Sequence, residues 1–357
     1  MFDLSDTSSL RVFGQYFKVD RNGAAIRGID DQSSGMRKLS QDTISQHDLS
    51  SMVVAAIYEA DLGFANLKMI GSVQEDDISV TRDNDRHNYL DPVLSIPGLG
   101  AGATYQRSEF RPETSLVDTT TFEVNLISIE PALDGKLDWT VGAFYMDHEI
   151  ENHIRGYRDN DGTGRLKYEC SESFADPTYC YEHDYGIPGR FDVFGADWDF
   201  VTDSFPTRES YSIYGQTTLN VSDNFRIVSG LRYSEDKFSA DVTNFFNVQE
   251  YDLAGESDEV TSRVAAEIDF TDDIMVYFAL AKGYKPGGSN LTFGYTEEED
   301  IEAGRPVAPA MVFPTFESET VDSVEFGLKS TFADGRARAN VAVFSYDYEN
   351  LQFQATD

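Results

Sequence analysis

His148-Glu149-Ile150-Glu151-Asn152-His153 sets two imidazoles around two carboxylates, the residue types that bind zinc and activate water. The zinc-protease pattern needs its histidines four apart on a helix, so that both reach one metal while the glutamate acts as base. Here they are five apart at the end of an alternating, strand-like run, and on a strand such positions point to opposite faces. No metal centre is expected from them. Gly287-Gly288-Ser289, after Lys285-Pro286, lacks the lysine and the helix start of a phosphate loop and reads as a tight turn entering an outer loop. Asp159-Asn160-Asp161-Gly162 has its glycine too early for an EF-hand; it reads as a turn, with a loop-stabilising calcium as the alternative. The acidic run Glu297–Asp300 reads as a solvated loop tip. Neither a G-x-S-x-G elbow nor a dinucleotide fingerprint occurs, so neither an enzyme nor a bound cofactor is expected. Cys170 and Cys180 lie in one polar stretch, which suggests a local disulfide; two unrelated thiols are the alternative.

The segments around these residues alternate with period two, and helical periodicity is scarce. Phe225, Ile227, Leu231 and Tyr233 fall on one face of a run whose other face carries Arg226, Val228, Gly230 and Arg232. Two arginines on one face require a lumen or solvent there, not lipid. Leu10, Val12, Gly14 and Tyr16 alternate with Arg11, Phe13 and Gln15, and Ala337, Ala339, Val341 and Val343 with Arg336, Arg338 and Asn340. Short turns fall at Asp61–Gly63, Asp134–Gly135, Ser222–Asn224, Thr271–Asp273 and Asp334–Gly335. Between them lie long polar connections, near Arg21–His47, Arg82–Asp118, Glu151–Thr207, Asp241–Asp258 and Lys285–Glu319.

Strict alternation of short and long connections is what an up-and-down barrel in an outer membrane requires, with short turns on one side and long loops on the other. The pattern gives about eleven strands. No run of apolar residues is long enough for a membrane helix. A mean hydropathy of −0.40 is compatible with barrel strands, half of whose side chains face a polar interior. The 25 Phe and 19 Tyr suit aromatic girdles. A net charge of −35, without clustered Lys or Arg, argues against nucleic acid and reads as acidic solvated loops. The beginning of the chain has neither the basic region nor the apolar core of a signal peptide.

Several segments resemble the barrel of TonB-dependent outer-membrane receptors of the ferric-siderophore type. Tyr277 to Asn290 is similar to an aromatic strand that ends in G-Y-K-P-G-G. Ser212–Gln216 with Ser229–Ser234 resembles a "YGQ…GLRY" hairpin. Glu319–Ser330, followed by Arg336–Phe344, is similar to another hairpin of these barrels, and Trp139–Tyr145 to their "W-x-x-G-x-F-Y" strand. The resemblance implies an all-β, antiparallel up-and-down transmembrane barrel over residues 1–357. It would be partial, with about 11 of about 22 strands, and would lack the plug domain, the first strand and the closing strands. It implies outer-membrane lipid, a ferric siderophore or similar small ligand, and the TonB–ExbB–ExbD complex as partners. Ligand contacts are expected at loop bases, from Tyr284, Lys285 and Asn290 in one loop and Tyr157, Arg158 and Tyr181 in another. A plugless porin or adhesin, and a secreted all-β hydrolase, are the rival readings.

Overall fold

The computed structural model describes residues 1–23, 45–83, 108–159, 200–244, 249–289 and 315–353. It is built almost wholly from strands: β1 (Phe2–Ser5), β2 (Ser8–Asn22), β3 (Gln46–Asp61), β4 (Ala65–Asp83), β5 (Ser108–Ser128), β6 (Leu137–Asp159), β7 (Phe200–Ser222), β8 (Phe225–Asn244), β9 (Gln249–Thr271), β10 (Ile274–Lys285), β11 (Gly288–Ser289), β12 (Thr315–Phe316), β13 (Glu319–Phe332) and β14 (Ala337–Glu349). Twelve of them form one antiparallel sheet in chain order, with β1 and β14 at its two edges. Among the described strands, only the short pair β11–β12 stands apart. The sheet is not closed into a barrel: among the described residues β1 and β14 do not pair with each other.

The sheet holds one strand more than the expected eleven. The difference lies at the start, where Phe2–Ser5 pairs with the beginning of β2, Phe2 opposite Leu10, across a turn at Asp6–Thr7. A four-residue strand end is too short to show alternation.

All five expected short turns are observed, and local chemistry makes them. Asp61 accepts a 2.7 Å bond from the Gly63 amide, and Asp273 donates its amide to Thr271 Oγ1 at 3.2 Å. Such side-chain mimicry of a turn is what Asp and Thr offer. Leu133-Asp134-Gly135 and Ala333-Asp334-Gly335 both run through positive φ, at 53°, 57°, 84° and 57°, 55°, 80°. Aspartate tolerates that region and glycine prefers it.

The opposite connections are shorter than the polar stretches suggested. Strand β6 reaches Asp159 and β7 begins at Phe200; β8 and β9 approach so closely that only residues 245–248 separate them. Strands β6, β7 and β9 have 23 residues each, about twice the length needed to cross a bilayer. Their upper halves scatter polar residues among apolar ones such as Ile150, Ile154, Phe205 and Leu253, so the regular apolar alternation that betrays a strand is missing there.

Among the described residues there is scarcely a conventional core. The buried apolar residues are mostly alanines, such as Ala55, Ala265 and Ala279, together with Val242 and Ile154. Large apolar side chains are exposed instead: Ile213 at 63%, Leu231 at 63%, Val264 at 50% and Phe270 at 65%. By strand parity and register these all lie on one face. A sheet that turns its apolar side outward is the inverse of a soluble sandwich and fits lipid as its solvent.

Candidate functional site

The inner face follows from the register. Tyr214 on β7 lies opposite Gly142 on β6 and Arg232 on β8, and all three point inward. The Tyr214 phenol donates to Glu123 Oε1 at 2.6 Å and Asn125 Oδ1 at 2.7 Å, and the Asn125 amide donates to the same Glu123 oxygen at 2.9 Å. The Arg232 guanidinium carbon lies 5.4 Å from the Tyr214 ring centre and 5.7 Å from that of Phe144, within cation–π range. Four neighbouring strands, β5 to β8, are thereby tied on the lumenal side.

The tie depends on a missing side chain. A Cβ at Gly142 would stand 2.6 Å from Tyr214 Cζ. The same device recurs at Gly327, where a Cβ would come within 2.3 Å of the Tyr277 ring lying over it. Tyr277 in turn donates to Glu325 at 2.5 Å, and Lys329 Nζ sits 5.2 Å from its ring centre.

Arg226, whose inward orientation the sequence required, forks between two carboxylates of β9, Glu267 at 2.5 Å and Asp269 at 2.7 Å. All three side chains are no more than a third exposed. Arg226→Met should therefore cost about 1–3 kcal/mol, because two partly desolvated carboxylates lose their donor. Urea unfolding of the vesicle-reconstituted protein would read the loss.

Higher on the inner face lies the second cluster. Asp236 on β8, 8% exposed, is the one buried charged side chain among the described residues. It accepts a short hydrogen bond from Ser210 on β7. Ser257 on β9 is its register partner and accepts a 2.7 Å bond from the Tyr284 phenol. Tyr284 also faces Asp236 and Arg208. The Arg208 guanidinium donates to the Gly287 carbonyl at 2.9 Å. Gln352 Nε2 donates to the Pro286 and Glu317 carbonyls, both at 3.0 Å. The Pro286–Gly288 segment is thus drawn inward over the wall, pinned by β7 on one side and by the chain after β14 on the other.

This arrangement brings Tyr284 into the cluster, whereas Lys285 points to solvent. Tyr157 and Arg158 lie on the last residues of β6, opposite Phe110 and Glu109. Asn290, Tyr181, Cys170 and Cys180 fall outside the described residues, as do Asn160–Gly162 and Glu297–Asp300. Arg208, Ser210, Asp236 and Ser257 were missed by sequence reasoning. Their signal is only strand parity, and no turn or motif marks them. The two histidines separate as expected: His148 meets Thr119 Oγ1 at 2.9 Å, while His153 meets Asp203 at 2.5 Å and Glu151 at 2.8 Å. No group of three metal-ligating side chains occurs among the described residues.

An apolar outer face, a charged and hydrogen-bonded inner face and tight turns on one side define the wall of a transmembrane β-barrel. Residues 63–357 match the family described as TonB dependent receptor-like, beta-barrel, and the chain belongs to that family. It is a family of outer-membrane receptors and transporters rather than enzymes. The pesticin receptor of Yersinia enterocolitica is 34% identical over 89 residues, 24% of this chain and 13% of that protein. Among solved structures, the ferric yersiniabactin uptake receptor FyuA from Yersinia pestis superimposes with a TM-score of 0.65 at 17% identity, over 98% of this chain and 44% of that one. The siderophore receptor PiuA from Acinetobacter baumannii gives 0.62 at 16% identity, over 96% and 48%. The chain therefore spans less than half the length of these receptors.

Proposed function

We propose that this chain forms part of the wall of an energy-coupled uptake receptor for a scarce small ligand, a ferric siderophore before other classes. The observation that carries this is the upper inner cluster. Donors (Arg208, Tyr284) and acceptors (Asp236, Ser257) converge beneath an inward-drawn Pro286–Gly288 segment. A binding site of this kind needs a few fixed polar groups and aromatic surface on a rigid wall. Lys285 and Asn290 would meet the ligand from the loop above, and Tyr157, Arg158 and Tyr181 from the neighbouring loop. Siderophore receptors among the structural relatives support the ligand class. Energy would come from the TonB–ExbB–ExbD complex acting through the receptor's plug domain.

The test is uptake of radiolabelled ferric siderophores by cells carrying the intact receptor as their sole uptake route, with and without TonB. The reading predicts TonB-dependent uptake, and binding that survives loss of TonB. Tyr284→Ala and Arg208→Ala should each weaken binding about tenfold, as loss of one charge-assisted or aromatic contact does. Uptake indifferent to TonB would instead indicate a passive pore.

A further inference from the structure

The lumenal face of the last strands carries aromatic rings that the cluster beneath Pro286–Gly288 does not use. Register places Phe344 and Tyr346 of β14 opposite Glu325 and Ser323 of β13, on the face where Tyr277 lies over Gly327, and Tyr348 follows on the same side. Neighbouring rings are in contact, with centroids 4.9 Å and 6.4 Å apart. Each of the three side chains is about half exposed. They form an aromatic ladder up the inner wall, and its upper end lies level with Gly283, which leads into Tyr284.

Arg263 of β9 stands in one register row with this ladder: Arg263 opposite Ala281, Ala281 opposite Ser323, and Ser323 opposite Tyr346. The floor between guanidinium and rings is low. Ala265 and Ala279 lie in the row below, and the Ser323 hydroxyl turns back onto the Ala281 carbonyl at 3.1 Å. Three strand-to-strand steps make this trough about 14 Å wide. The other inward arginines nearby are engaged: Arg226 forks between two carboxylates, and Arg232 lies against the Tyr214 and Phe144 rings. Arg263 is exposed and forms no ion pair among the described residues. Carboxylates outnumber cations 63 to 28 in this chain, yet none of the described ones reaches this guanidinium.

We propose that this trough receives an anionic aryl group of the imported ligand, a catecholate or phenolate that chelates iron, with its ring against Tyr346 and Tyr348 and its negative charge toward Arg263. Two arguments select this class. Aromatic faces take up a flat ring in offset or edge-to-face contact, and a guanidinium pairs with oxyanions. A ferric trihydroxamate with alkyl arms offers neither ring nor net negative charge. The trough also continues upward into the cluster around Tyr284, so one ligand can engage both. The inference deepens the proposed uptake function and rests on it.

The test is uptake of radiolabelled iron by cells in which the intact receptor is the sole route. Iron is supplied as tricatecholate, phenolate and alkyl trihydroxamate complexes. The expected result is half-saturation by an aryl complex at a concentration at least tenfold below that of the trihydroxamate. Y346A/Y348A and R263Q should each raise that concentration about tenfold for the aryl complex, whereas Y346F/Y348F, which keeps the rings, should change it little. Folding is read by heat-dependent gel mobility. R263Q breaks no ion pair in the wall, so it decides the matter if the alanine pair fails to fold. A trihydroxamate imported as well as the aryl complexes would overturn the inference, and so would an R263Q receptor that imports them unchanged. Variants that lower the thermal midpoint and depress every complex alike would mean that the ladder packs against the receptor's own interior, and would overturn it too. Uptake of none of the complexes would overturn the proposed uptake function itself, and this inference with it.

Discussion

Val264→Arg should destabilise the inserted protein by about 2–4 kcal/mol, while Gln216→Arg should leave it nearly unchanged. Val264 is 50% exposed on the outward face, opposite Ser229 and Leu280, between Tyr233 of β8 above and Phe270 below. An arginine there must place its guanidinium in hydrocarbon, at about 2–4 kcal/mol near the bilayer midplane. Gln216 lies on the inward face, opposite Thr140 and Gly230, where a guanidinium meets the polar lumen. Neighbouring Arg263 shows that β9 already carries an arginine inward, one residue from the apolar position. Refolding of both variants of the intact protein into phosphatidylcholine vesicles, followed by urea titration, measures the difference. Equal behaviour of the two would mean that the faces are wrongly assigned.

Gly142→Val should destabilise the wall by about 1–3 kcal/mol, the usual cost of overpacking. The added atoms collide with the Tyr214 ring and with Asn125 Oδ1, which a Cβ alone approaches to 2.6 Å. Displacing Tyr214 removes its bonds to Glu123 and Asn125 and uncovers one face of Arg232. The collision, not the loss of glycine as such, is held responsible, so Tyr214→Ala in the same chain should recover part of the loss. A double variant no better than the sum of the two singles would refute that.

What the sequence revealed was the lower half of the wall. Between Phe225 and Tyr233 lipid on one side and lumen on the other force a binary alternation, and register merely aligns it with its neighbours. The turns were legible too, because Asp, Asn and Gly carry their conformational preference locally. The upper half was not. Residues Asp241–Asp258 read as a loop because acidic and amide residues interrupt any regular alternation there, yet 241–244 and 249–258 are paired strand. Ser210, Asp236 and Ser257 come together only through a register shared by three strands. Tyr284 was reached through the G-Y-K-P-G-G resemblance, not through any contact the sequence shows.

The central claim is that one face of this sheet meets lipid and the other a watery lumen. Single cysteines placed from Ile227 to Arg232, in intact receptor with Cys170 and Cys180 changed to serine, would be spin-labelled in the membrane. Their collision rates with oxygen and with a water-soluble nickel chelate would then be compared. The account predicts a period of two: labels at 227, 229 and 231 reached by oxygen, those at 228, 230 and 232 by the chelate. Chelate access at all six positions alike would contradict it, since both faces would then be in water.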